Sequence, residues 1–197
     1  MADGPARGRP RQQAVDDRIL AVARALLAEG GYEALTYEAI AARAQVSRPT
    51  IYRRWPTKVQ LANEIANGGG APVPNLIETE GLDAQIRAFV GLLFDQYERP
   101  GMAAANAGLI VAYQNAPDLR AELHDPLEAE ARRHLTTIIE QAKHGGLVDS
   151  SVDADALFDL AVGAVIFRTL FSSLPCDAAV REAVCAILTG GIRVRSG

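Results

Sequence analysis

The chain has two cysteines, two lysines, three histidines and one tryptophan in 197 residues, and each scarcity removes a class of function. Two cysteines cannot make the disulfide framework of a small secreted domain. Cys176 and Cys185 both fall in the last predicted helical segment. Nine residues of helix separate them by roughly 13 Å, too far for an intrachain bridge. They are expected as small buried apolar residues, with a cross-dimer or redox-sensing role as the alternative. His124, His134 and His144 recur every ten residues. That spacing leaves them about 80° out of register on a helix, whereas zinc ligands use i, i+3 or i+4. They are expected at the surface, and no metal or cofactor is expected. Gly68-Gly69-Gly70 lacks the Lys-Ser/Thr of a phosphate loop, and no Gly-x-Ser-x-Gly elbow occurs. Asp95, Glu98, Asp155 and Asp159 suit helix surfaces and caps better than acid–base pairs. No catalytic residues are assigned, and an enzyme is not expected.

Long apolar runs are missing too. The strongest, Leu157–Phe171, is broken by Asp159 and Arg168 and falls short of the roughly 20 residues that cross a bilayer. The Arg- and Pro-rich beginning has no apolar segment behind it. No secretory signal and no membrane association are therefore expected, and a cytoplasmic location is. Hydrophobic residues are 49% and charged residues 22%, the composition of a globular protein.

Positive charge is scarce overall, with a net charge of −4, but it is unevenly placed. Residues 1–58 hold ten basic and six acidic groups, for +4, leaving −8 on residues 59–197. A basic quarter on an acidic body is the polarity of a protein that meets phosphate with one end. A general DNA-packaging protein, the distant alternative, would need positive charge throughout.

Helical periodicity recurs and no convincing strand does. Ile19, Val22, Ala23, Leu26 and Leu27 form the stripe of a first helix, starting near Asp16 and ending at Gly30-Gly31. Thr36 is placed to cap a second helix from Tyr37 to about Ala44, with Ile40 and Ala41 inward. Ser47 is placed to cap a third, Arg48 to about Trp55, with Pro49 in its first turn. Pro56 stops it, and Thr57 caps a fourth from Lys58 to about Asn67. Gly68–Pro74 reads as a flexible connection. Beyond it, Leu82, Ile86, Phe89, Val90, Leu93 and Tyr97 make one stripe, Met102–Asn115 is an Ala/Gly-rich helix, and a long helix runs through Leu127, Leu135 and Ala142 to Gly145-Gly146. The segments Asp153 to about Leu174 and Asp177 to about Val194 are apolar around so much of their circumference that a second copy is their simplest cover. The expected organisation is a basic arm (1–14), a helix-turn-helix domain (15–67), a connection (68–80) and a C-terminal domain (81–197), all α-helical.

The run Thr36–Lys58 carries the most specific signal. It contains an alanine-rich second helix, a turn, Ser47 at the recognition-helix cap, Thr50, the Ile51–Tyr52 pair, then Trp55, Pro56, Thr57 and Lys58. This pattern resembles the TetR family of regulators over residues 15–67; the rest is similar only in length and helical layout. On the residues themselves, Arg48 and Thr50 lie at the exposed start of the third helix. Arg48 could donate two bonds to guanine, worth about 1–3 kcal/mol of discrimination. Pro49 and the Thr50 methyl could meet a thymine methyl. Arg53 and Arg54 extend the positive surface. Thr36, Tyr52 and Lys58 resemble the family's phosphate contacts, Lys58 helped by the N-terminus of its own helix. Ser47 joins this DNA-binding set as the cap. Trp55, four residues after Ile51, is expected to plug the core rather than stack on DNA. Gln45 stands where many relatives have glycine; if φ is positive there, Gln costs roughly 1 kcal/mol. Arg7-Gly8-Arg9-Pro10-Arg11 is either a minor-groove arm or a solvated tail.

The resemblance implies a C-terminal pocket for a small molecule and a homodimer through the last two helices. Candidate pocket walls are Phe89, Leu93, Tyr97, Leu109, Tyr113, Phe158 and Val162, each of which could equally be ordinary core. The expected function is a repressor that binds an inverted repeat in double-stranded DNA and is released by an effector. A regulator without effector, or an activator, is the alternative.

Overall fold

Short-range signals set the helix ends. The computed structural model describes residues 9–67, 76 and 81–194, the first three by backbone alone. Among them every regular element is helical, and the one β contact is an isolated antiparallel bridge between Val148 and Arg193. Helix α1 spans Arg9–Ala34 and breaks at Gly30-Gly31. Gly31 there takes φ 70° and ψ −167°, a conformation that only glycine adopts without strain. The helix therefore begins seven residues ahead of the expected Asp16, and positions 9–14, expected in a flexible arm, are helical. Arg7 and Gly8 of the expected arm, and the Gly68–Pro74 connection, lie outside the described residues.

Helix α2 is Tyr37–Ala44, capped by the Thr36 hydroxyl, which accepts from Ala39 N at 3.2 Å. Gln45 closes it in the left-handed region at φ 52°, ψ 49°, the geometry expected of a turn glycine. Helix α3 is only Arg48–Tyr52, three residues shorter than expected at its C-terminal end. The chain continues through turns in which Arg54 N and Trp55 N both donate to Ile51 O at 2.9 Å. Helix α4, Lys58–Asn67, opens on a reciprocal cap. Gln60 N donates to Thr57 Oγ1 at 3.2 Å, and Thr57 N donates to Gln60 Oε1 at 3.0 Å.

The remaining helices are α5 (Leu82–Glu98), α6 (Met102–Asn115), α7 (Pro117–Leu123), α8 (Asp125–His144), α9 (Ala154–Ile166) and α10 (Ala178–Ile192). A π-turn, Phe167–Phe171, extends α9. Asp153 and Asp177 cap α9 and α10, accepting from Asp155 N at 2.9 Å and Val180 N at 3.0 Å. Cys176 precedes α10 instead of lying within it, because the cap at Asp177 starts the helix later.

The chain packs as two compact units, divided at a position inside the expected connection, with one later segment counted with the first. The first joins the residues through Gly69 to Pro100–Ala112; the second joins Gly70–Arg99 to Tyr113–Gly197. Most of α6 thus belongs with the helix-turn-helix. In the first unit Ile19, Leu27, Ile40, Ile51, Leu61 and Ile65 are fully buried. In the second, α5, α8, α9 and α10 bury Ile86, Val90, Phe94, Leu135, Ile138 and Val165. Each such side chain gains about 1.5–3 kcal/mol from leaving water. Two arginines tie that unit's surface. Arg132 of α8 bonds Glu128 (2.8 Å), Asp159 (2.6 Å) and Asp155 (3.3 Å) with its guanidinium 4.3 Å over the Phe158 ring. Arg181 of α10 bonds Asp95 at 2.7 Å and pairs with Glu98 of α5. The four carboxylates expected at helix surfaces are therefore arginine partners.

Candidate nucleic-acid interface

Two short helices and the left-handed Gln45 bring the starts of α2 and α3 together, and most of the expected contact residues gather there. Thr36, Ser47, Arg48, Pro49, Tyr52 and Arg53 are exposed, and Thr50 and Lys58 are half-buried. Beneath them Ile51 is fully buried and Trp55 is 8% exposed, which places the indole in the core as expected. Tyr37 locks the arrangement. Its hydroxyl donates to Trp55 O at 2.7 Å, and its ring meets the Tyr52 ring edge-on with centroids 4.3 Å apart. Burial, and then the neighbouring Tyr52 and Tyr32, push the Tyr37 hydroxyl up to about 12, so it stays a donor.

The polar groups differ from expectation in three places. Ser47 has capping dihedrals but its hydroxyl makes no cap bond; it lies 2.9 Å from Thr50 Oγ1, so these hydroxyls satisfy each other. Arg54, expected on the positive surface, turns inward, pairing with Asp16 of α1 and donating to Thr50 O at 3.1 Å. It is a staple between α1 and α3. Arg48 is exposed but ion-paired with Glu38 in the first turn of α2. The backbone N–H at the helix start and the Arg48 guanidinium hold the Glu38 carboxyl below its usual value. Lys58 sits with its ammonium 4.1 Å from the Tyr32 ring centroid and 3.9 Å from Glu33 Oε2. Glu38 and Tyr32 carry no local signal of these roles, because each contact joins residues ten or more positions apart.

The expected pocket walls divide between the two units. Phe89 and Phe158 are buried neighbours in the second, with ring centroids 5.9 Å apart, and Leu93, Tyr97 and Val162 pack half-buried against the same core. Burial raises the Tyr97 hydroxyl above its ordinary value. Tyr113 is also in the second unit, its ring 5.5 Å from His124. Leu109, one helical turn before Tyr113 on α6, is buried and is counted with the first unit. A shallow groove of about 240 Å³ lies elsewhere, lined by Arg87, Val90, Gly91, Arg181, Glu182 and Cys185, and uses none of the expected walls. A polar group missed in the sequence is Arg168 on the π-turn. Its Nη1 donates to Ser172 Oγ at 3.3 Å, while its buried Nε has no acceptor.

The other expectations fare differently. His124 pairs with Glu128 at 3.2 Å, His144 is exposed, and His124 and His134 are both half-buried, His134 with its Nδ1 turned inside. Both cysteines are free: Cys185 is buried as expected, and Cys176 is half-buried, its thiol pushed up to about 11 by desolvation and by Glu98. No helix among the described residues is long and apolar enough to cross a membrane.

The comparisons with known proteins agree on both parts of the chain. Residues 19–65 match the model for bacterial regulatory proteins of the tetR family, and residues 76–188 match the tetracyclin repressor-like C-terminal domain. A DNA-binding transcriptional repressor TetR of Mycobacteroides abscessus is 30% identical, covering 95% of this chain and 97% of the relative. An HTH-type transcriptional regulator of Mycobacterium tuberculosis is 29% identical over 160 residues, covering 81% of this chain and 78% of the relative. Two solved structures share the fold. A transcriptional regulator from Saccharomonospora viridis, crystallised with choline, superposes with a TM-score of 0.70 over 93% of this chain and 99% of its own at 17% identity. NalD, the secondary repressor of the MexAB-OprM multidrug efflux pump of Pseudomonas aeruginosa, gives 0.67 over 92% and 97% at 19% identity.

Proposed function

The chain belongs to the TetR family of helix-turn-helix transcriptional regulators, and from that premise we propose that it is a cytoplasmic repressor, a homodimer released from an inverted-repeat operator by a small molecule. The observation that carries this reading is the exposed edge at the start of α3. Arg48 and Pro49 stand at the surface over a fixed core of Ile51, Trp55 and Tyr37, while the acidic remainder of the chain repels phosphate. Arg48 reads a guanine after exchanging its Glu38 partner for the base edge. Thr36, Ser47, Tyr52, Arg53 and Lys58 fix the register on phosphates, and Pro49 and Thr50 meet a thymine methyl.

Dimerisation through α9 and α10 is supported by the side chains a single copy leaves in water. Leu160 is 64% exposed, Phe167 65%, Phe171 71% and Ile187 73%. Large apolar side chains left in water on the terminal helices favour a cover, and a two-fold copy would supply it while holding two recognition helices about 34–36 Å apart, one DNA turn. Effector binding in the second unit is supported by the aromatic and aliphatic set Phe89, Leu93, Tyr97, Phe158 and Val162, with Tyr113 buried in the same unit, and by the unsatisfied Arg168 Nε. A buried donor without an acceptor costs about 1–3 kcal/mol, which a bound carbonyl or carboxylate would recover. An effector favouring the non-binding spacing by about 1–3 kcal/mol would weaken operator affinity 5- to 150-fold. No catalytic role is assigned.

The test compares affinity for an inverted repeat from the DNA flanking the gene with that for random duplex at one salt concentration. A preference of about 10³-fold or more is expected; equal affinities would mean packaging instead. Transcription from that promoter should rise when the gene is deleted, and a fall would make the protein an activator. If every small molecule that stabilises the protein leaves operator affinity untouched, the effector part of the reading is lost.

A further inference from the structure

Lys58 is the sole lysine before residue 143, and its environment is built. Its ammonium lies over the Tyr32 ring, and Tyr32 sits in the short turn that follows the kink at Gly31. Tyr32 also meets α6 where no side chain fits: a Cβ on Gly108 would fall 2.1 Å from the ring carbons Cγ and Cδ2. Seven residues earlier, two helical turns along the same face, Gly101 (φ 81°) brings the start of α6 against α1. A Cβ there would fall 2.8 Å from Arg24 O and 3.0 Å from Leu27 Cβ. Two glycines therefore seat α6 on α1 with the Tyr32 ring wedged at the second, and the ring in turn carries the cation. The nearby Glu33 side chain is 95% exposed, so its pull on Lys58 is screened and the ring is the stronger hold.

We propose that Tyr32 is a positioning residue for DNA binding: clamped on α6 at Gly108, it places the Lys58 ammonium at the N-terminus of α4, so that the seating of α6 sets where this cation can meet a phosphate. The inference rests on the reading of Lys58 as a phosphate contact.

The experiment measures operator affinity of the full chain across a salt series. Lys58→Ala should lower the slope of log affinity against log salt by about one per protomer. Tyr32→Leu and Gly108→Ala should lower it equally and weaken binding about threefold, the size of a cation–π contact. Tyr32→Phe, which keeps the ring, should behave as the parent, and adding Lys58→Ala to Tyr32→Leu should cost nothing further. A merely structural role for Tyr32 predicts the opposite: an unchanged slope and additive losses, which would overturn the proposal. Should Gly108→Ala fail to fold, the milder Tyr32→Leu decides. If Lys58→Ala itself leaves the slope unchanged, the phosphate reading of Lys58 fails and takes the inference with it; if only the Tyr32 and Gly108 variants do, the inference alone fails.

Discussion

The two units bury their apolar side chains in different ways. In the first, Tyr52 and Val111 are the most exposed of the large hydrophobics, at 49% and 57%, and the exposed edge of α3 is polar. In the second, Leu160, Phe167, Phe171, Leu174 and Ile187 are all more than 60% exposed on or beside the terminal helices. Large apolar side chains are thus mostly buried in the first unit, while several in the second stand in water in a single copy. On the proposed reading, recognition belongs to the first unit, and the spacing between two copies of it to an interface formed by the second.

The largest effect should come from that interface. Phe167→Glu with Phe171→Glu and Ile187→Glu should give a folded monomer by sedimentation, and operator affinity should fall by about 100-fold or more because two half-sites no longer act together. A dimer that persists in this triple variant would move the interface away from α9 and α10. Next is the core of the first unit. Trp55→Ala should cost about 3–5 kcal/mol of stability, read as a lowered denaturant midpoint, because it removes a buried ring.

The two helix caps sharpen the contrast between expected and actual bonding. Thr36→Ala should cost about 1 kcal/mol, since that hydroxyl accepts from Ala39 N. Ser47→Ala should cost less than about 0.5 kcal/mol in the DNA-free protein, because its hydroxyl makes no cap bond. Equal losses in a paired urea titration would show that the Ser47 hydroxyl does cap α3 in solution. One change should be a gain: Gln45→Gly should stabilise the protein by about 0.5–1 kcal/mol by relieving a left-handed residue.

These same positions show what was legible in the sequence. Thr36, Gln45, Thr57 and the kink at Gly30-Gly31 act on neighbours within five residues, so residue type alone located α2 to within its observed ends and announced the left-handed turn. The apolar periods located α5, α8 and α10 for the same reason. Arg54 with Asp16, Arg48 with Glu38 and Tyr32 with Gly108 join residues 38, 10 and 76 positions apart, and no local pattern encodes such pairings. The assignment of most of α6 to the first unit was hidden likewise. Its Ala- and Gly-rich surface offers no strong stripe, and what seats it is the absence of side chains at Gly101 and Gly108. Phe94, fully buried, falls between the members of the α5 stripe and was missed because the helix is covered on more than one face.

The central claim is that the exposed first turn of α3 selects DNA sequence. Arg48→Ala, Thr50→Ala and Tyr52→Ala in one chain leave Ile51, Trp55 and the Tyr37 hydroxyl bond in place, so the dimer should fold. The ratio of its affinity for the inverted repeat to that for random duplex, measured by fluorescence anisotropy at a single salt concentration, should collapse to about one. A folded triple variant that keeps the parent ratio would contradict the account.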